Sequence, residues 1–238
     1  MFDIICKKAV EEENKENINN GRPPRHLKVS GDGSWKKRGF TSLYGVASLI
    51  GYYSGKVVDL VVKSGYCQSC TFWNKKKDTD EYIEWYENHQ EECFANHDGS
   101  AGKMKIDCIK EMFGRSEDKF DVKYVNYIGD GDSKTYKSIL DLNPYGNNCP
   151  VTKSECIEHV EKRMGTRLRN VKKKEKLSGK GRLTDVLIKK LTNYYGLAIR
   201  QNIDSVAEMK KAIMVTLHHY CSTNDQPRHE DCSAAAKS

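Results

Sequence analysis

Residues 43–67, LYGVASLIGYYSGKVVDLVVKSGYC, carry two β-branched-rich runs on either side of the turn sequence YSGK. Val, Ile and Tyr suit a pleated surface and a Ser-Gly pair suits a tight turn, so the stretch predicts two strands joined by a short connection. HLKVSGD, residues 26–32, is a third run of the same kind just upstream. Three in succession predict a β-meander. Farther along, FDVKYVNYIGDGD (120–132) alternates Val122, Tyr124, Asn126 and Ile128 before it breaks into acids, which predicts a fourth strand. Between them, residues of about 100–115 place Met104, Cys108, Ile109 and Met112 on one helical stripe. A mixed sheet that begins with a meander can hold its first strand centrally, and a strand after a crossover helix can pair beside it. The fold class that follows is α/β with a mixed sheet. Residues 1–20 read as the tail of a helix that stops before GRPPR, where paired prolines cannot continue it. Residues 154–170 predict a helix buried along Ile157, Val160, Met164 and Leu168, and residues 182–221 predict further helices.

A chain of 238 residues supports one main core with a small satellite. Its mean hydropathy of -0.75 and the absence of the roughly 20-residue apolar run a membrane span needs argue against a membrane protein. MFDIICKKAV resembles neither a signal nor a transit peptide, so an intracellular, reducing compartment is the expectation. Nine cysteines, an odd number placed unevenly and partly beside histidines, favour metal ligation over a disulfide framework. The net charge of +7 is split: residues 151–215 hold 16 Lys and Arg against 7 Asp and Glu, whereas residues 67–120 hold 8 against 12. A basic lobe of this kind fits a polyanion such as nucleic acid.

Cys67 and Cys70 form a C-x2-C pair; after eighteen intervening residues His89 and Cys93 form H-x3-C on a helix-like stretch. Residues four apart share a helical face, so the four could supply a tetrahedral zinc site, structural because no position is left for a substrate. His97 is an alternate ligand, and Trp73 and Trp85 would cover an insert too small to bury much surface. A second group, His219, Cys221, His229 and Cys232, has irregular spacing and reads equally as ligands or as surface chance. Cys6, Cys108 and Cys149 read as packing or surface thiols.

Asp32, in SGDG, would end the first strand, and Asp130, in IGDGD, the fourth. Each alone is also ordinary turn chemistry. Together at one sheet end they would repel unless a cation lay between them, and hard oxygen ligands suit Mg²⁺ or Mn²⁺. Asp132 is a fallback ligand. Four longer motifs, DGSWKKRGFTSLYGVASLI, YIGDGDSK, ECIEHVEKRMGTRLR and GKGRLTD, in that order, resemble the Mutator-like transposase domain of animal DNA transposons from about residue 25 onward. The resemblance implies an RNase H-like core whose DDE carboxylates bind two divalent ions, cleave the element's DNA ends and join the freed 3′-hydroxyl to target DNA in the nucleus. It matches Asp32 to the first acid and Asp130 to the second, and Cys156 and His159 to a Cys-x-x-His signature on the following helix. That pair reads either as buried structure or as support for the catalytic site. The family's third acid is usually a Glu on a late helix. Asp185, Asp204 and Glu208 do not stand in that context, so the third carboxylate is expected to be missing here. The competing expectation is an inactive relic or co-opted module that keeps the zinc and the DNA-binding surface.

KRMGTRLRNVKKKEK, residues 162–176, has eight Lys or Arg. It could be a solvated face, or it could follow a DNA backbone through Arg163, Arg167, Arg169, Lys172 and Lys173. The domains expected are an N-terminal helix and linker (1–24), the core (25–66 and 98–170), the zinc insert (67–97) and a basic helical region (171–238). The partners expected are transposon-end and target DNA, no membrane, and a homo-oligomer.

Overall fold

A computed structural model describes residues 2–36, 42–129, 131, 133–179, 181–222 and 225–226. The chain divides into two compact units, residues 1–154 and 155–238.

The first unit opens with α1 (Phe2–Asn19), followed by the meander β1 (His26–Trp35), β2 (Tyr44–Gly51) and β3 (Val57–Ser64). The insert contributes α2 (Gln68–Trp73) and α3 (Asp80–His89), each continued by a short 3-10 turn. Then come α4 (Ala101–Gly114), α5 (Ser116–Phe120), β4 (Lys123–Gly129), α6 (Ser133–Leu142) and β5 (Thr152–Glu155), at whose last residue the units part. The strands form one mixed sheet in the order β3-β2-β1-β4-β5. The expected α/β class and meander are present: β1 is central, antiparallel to β2 with Asp32 opposite Ser48, and parallel to β4 with Ser30 beside Ile128.

Alternation along the strands assigns the faces. Leu27 and Val29 of β1, Ala47 and Leu49 of β2 and Val61 of β3 point into a core with Ala9 and Val10 of α1 and Cys108, Ile109, Met112 and Phe113 of α4. Burying each large side chain here stabilises the fold by about 1.5–3 kcal/mol. Trp35 lies on the same face because Gly45 makes room: a Cβ there would strike the indole and come within 2.8 Å of the Met104 sulfur. The opposite face carries Lys28, Ser30 and Asp32, and leaves Val46 and Val62 exposed.

Two buried acids tie helices to this sheet. Glu13 of α1 is fully buried and accepts the backbone N–H groups of Tyr53 (3.0 Å) and Ser54 (2.6 Å) in the β2–β3 turn. Asp59 of β3 is also fully buried; Arg115 donates to it from Nε (3.0 Å) and Nη2 (2.7 Å), and Lys119 Nζ stands 3.3 Å away. Each carboxylate is thus paired by donors, which is what makes an ionised group tolerable in such a place.

The second unit consists of α7 (Ile157–Lys174), α8 (Asp185–Gln201) and α9 (Val206–Tyr220). Met164 and Leu168 of α7 face Leu191 and Tyr195 of α8 and Ile213 and Leu217 of α9 around a small apolar cavity. Gly165 lets α7 and α8 approach closely, since a Cβ there would lie 3.1 Å from Thr192 Oγ1. Thr184 and Ser205 cap α8 and α9 by accepting from the N–H groups of Leu187 and Glu208. No helix among the described residues is long and apolar enough to cross a membrane.

Candidate functional site

The parallel β1–β4 pairing ends at Ser30 and Ile128; beyond it β1 continues against β2 to Asp32 and past it. Asp32 is exposed on the sheet face opposite the helices, with Oδ1 accepting the Gly33 N–H at 2.7 Å. The other carboxylate oxygen has no partner among the described residues. In open α/β sheets ligands gather at the carboxyl ends of strands; Asp32 does not end β1 as expected, since the strand runs on to Trp35, but it stands two residues past the end of the parallel pairing with β4. β4 terminates at Gly129, the residue that precedes Asp130 in the sequence. Asp130 and Asp132 themselves lie outside the described residues.

In the insert, Cys67, Cys70, His89 and Cys93 come together with all four ligand atoms within 4.8 Å of one another. Cys67 Sγ is 3.3 Å from His89 Nε2, and Cys70 Sγ is 3.4 Å from Cys93 Sγ. Local structure sets this up simply. Cys67 precedes the first turn of α2, which brings Cys70 back beside it, while Thr79 caps α3 through the Tyr82 N–H and starts the turn phase that ends on His89. Burial works upward on the Cys67 thiol, but N–H groups of Cys70 and Phe94 and the His89 ring draw it down to about 6. Burial and the neighbouring Cys93 and Cys67 sulfurs push Cys70 up to about 12. Thiols crowded this way titrate as a set that a cation would deprotonate, and three sulfurs with one imidazole nitrogen could hold a structural zinc. The Trp85 ring stacks on His89 (centroids 4.5 Å apart) and on Trp73 (5.0 Å), shielding one side of the group. His97 is not part of it: its Nδ1 faces Asp107 Oδ2 at 3.4 Å, holding the end of the insert to α4.

In the second unit, Cys156 is the residue before α7 and His159 lies in its first turn, where the His159 N–H donates to the Cys156 carbonyl at 3.1 Å. Both are half-buried, and His159 Nδ1 is shielded without a hydrogen-bond partner among the described residues. The only Cys, His and acid group of metal-binding geometry among the described residues is the insert's. Of the basic residues, Arg163 pairs with Glu155 at 2.6 Å and Lys172 with Asp185 at 3.0 Å, while Arg167, Arg169 and Lys173 are exposed. Arg169, Lys162 and Thr166 line a polar cavity of about 500 Å³ together with Thr192, Asn193 and Arg200 of α8. The α8 contributors carry no motif and become visible only when the two helices pack. At the end of α9, Cys221 is exposed beside His219; His229 and Cys232 lie outside the described residues.

No curated protein and no solved structure matches the chain. A family model described as Mutator-like transposase matches residues 3–238. It extends the match to nearly every residue, taking in α1, the insert and the helical second unit as well as the four motifs. The chain belongs to the Mutator-like transposase family.

Proposed function

We propose that this chain is the core of a DNA transposase that works in the nucleus, with an RNase H-like sheet, Asp32 and Asp130 as its first two carboxylates and Asp132 as the alternate. The observation that carries the reading is Asp32: an exposed carboxylate on the central strand, just past the end of its parallel pairing with the strand whose sequence runs on into Asp130. A central first strand with a parallel neighbour after a crossover helix also supports the RNase H-like assignment. Mg²⁺ or Mn²⁺ bound by such oxygens would stabilise charge at a phosphodiester and acidify the attacking water. The chain's own part is to hold oxygen ligands at a rigid strand end, to hold zinc in the insert and to meet the DNA backbone through Arg163, Arg167, Arg169, Lys172 and Lys173. Cys156 and His159, at the start of α7, keep the Cys-x-x-His signature that the family resemblance assigns, and transposon-end cleavage would be carried out by a homo-oligomer.

A second reading, a DNA- and zinc-binding module without chemistry, has its own observation. Asp185 is engaged by Lys172, and Glu208 stands in the Ser205-capped first turn of α9, so two of the three late acids serve helix ends. The test is Mg²⁺-dependent nicking of DNA carrying transposon ends by the full chain and by Asp32→Asn. Nicking that Asp32→Asn abolishes supports the enzyme. DNA binding with no nicking at any Mg²⁺ or Mn²⁺ concentration overturns it in favour of the module.

A further inference from the structure

Beside the zinc group, between the β3 edge of the sheet and the start of the insert, lies a cavity of about 620 Å³. Its walls are Tyr44, Val62, Tyr66 and Phe94, and Gln68 and Ser69 stand at its polar side. Val62 and Phe94 are 55% and 77% exposed, an unusual amount of bare apolar surface for one small site. Tyr44 and Tyr66 tilt across one another with centroids 5.9 Å apart, and Lys36 Nζ lies 4.8 Å from the Tyr44 centroid. Aromatic faces, amide and hydroxyl groups and a cation against the Tyr44 wall form the combination that receives an unpaired nucleobase and its phosphate.

The register connects this cavity to Asp32. Asp32 is opposite Ser48, Ser34 opposite Val46, and the Lys36 N–H donates to the Tyr44 carbonyl, so Asp32, Lys36 and Tyr44 share one sheet face. Tyr44 is four residues along β2 from Ser48, about 13 Å at the rise of a strand. At about 3.4 Å per nucleotide that is roughly four steps of DNA.

We propose that the cavity is a nucleobase pocket that receives an unpaired base of the DNA about four nucleotides from the bond being cut. The distance rests on the transposase reading given above; the base-binding chemistry does not. A hydrophobic side chain of a partner protein is the rival occupant, disfavoured by Lys36 and by the pocket's place on the Asp32 face.

The test uses the full, zinc-loaded chain and fluorescent DNA: a blunt duplex, the same duplex with a six-nucleotide single-stranded flank, and that flank made abasic. The flanked duplex is expected to bind roughly tenfold tighter than the other two, the worth of one base–aromatic stack. Tyr66→Ala with Phe94→Ala should erase that preference while leaving blunt-duplex affinity unchanged, and Tyr66→Phe with Phe94→Tyr should keep it. Because the alanine variant borders Cys93 and could unfold the insert, 2-aminopurine is also walked along the flank with the unaltered chain. Quenching confined to one or two positions supports the pocket. Equal affinity for the three DNAs with no quenching at any position overturns it, the result a peptide-binding pocket would give. A base preference that persists in Asp32→Asn, with no nicking by either chain, would leave the pocket standing and remove the catalytic reading; nicking without base preference would do the reverse.

Discussion

Stripping the metal from the full chain is expected to unfold the insert and leave the sheet in place. Among residues 67–97 only Cys67 is buried; neither α2 nor α3 contains a buried residue. Apolar burial therefore contributes little to order there. The stacks of Trp85 on Trp73 and on His89 add about 0.5–1.5 kcal/mol each. Structural zinc held by thiolates and imidazole is worth roughly 10–16 kcal/mol at neutral pH. The metal term is several times the sum of the stacks, so it decides whether the insert is folded. The assay is hydrogen exchange read by mass spectrometry before and after chelation, with metal content measured alongside. Amides of α3 around Tyr86–His89 should exchange at the rate of an unfolded chain once zinc is gone, whereas β2 and β3 stay protected. His89→Ala or Cys93→Ala should reproduce this without chelator. If α3 remained protected in a verified metal-free chain, the ranking of metal above stacking would be refuted.

Arg115→Ala strips Asp59 of its bidentate partner and is expected to lower stability by about 3 kcal/mol in urea unfolding, the low end for a broken buried pair because Lys119 remains nearby; a loss under about 1 kcal/mol would show that the pair is not what anchors α4 to β3. Burial raises the Cys108 thiol from 9.0 to about 11 and the Tyr145 hydroxyl from 10.0 to about 12. Below about pH 9 both states keep these protons; above it the unfolded chain releases them first, so the urea midpoint should fall as pH rises from about 9 to about 12. A midpoint that stays flat across that window contradicts the burial argument. Reversing Arg167, Arg169 and Lys173 to Glu should weaken binding of all DNA sequences alike and flatten the dependence of affinity on salt, by roughly one unit of slope per lost phosphate contact. An unchanged salt slope would show that this face of α7 is merely solvated.

The meander and the clustering of Cys67, Cys70, His89 and Cys93 were legible because their signals are local: period-two alternation in HLKV and VASLI, and fixed spacing in C-x2-C and H-x3-C. β5 was not. Its four residues, TKSE, have no apolar alternation, and it is held by the Asn126 side chain donating to Thr152 Oγ1 (2.8 Å) and Ser154 Oγ (3.0 Å), a pairing that exists only in three dimensions. The packing face of α1 was hidden for a related reason. Cys6, Ala9, Val10, Glu13 and Asn17 form one helical face, but two of its five residues are polar and dock by hydrogen bonds, so a search for an apolar stripe passes over it. α6 has few markers of its own, since only Thr135 and Ile139 of its residues are buried. His97 looked like a zinc ligand by composition alone; its position after the last turn of the insert points it to Asp107 instead.

β3 is an outer strand of the sheet, and its exposed edge is closed by an unusual substitute for a sixth strand. The Asn96 side chain accepts the Ser64 N–H at 2.8 Å and donates to the Val62 carbonyl at 3.3 Å, and the His97 N–H reaches the Ser64 carbonyl at 3.0 Å. One side-chain amide and one backbone group thus occupy the ladder positions that another chain would otherwise use. Those groups belong to the segment returning from the insert, so a zinc held there would also guard the sheet against self-association. Without that zinc the edge at Val62 and Ser64 would lie open to strand-to-strand pairing while the core was still folded.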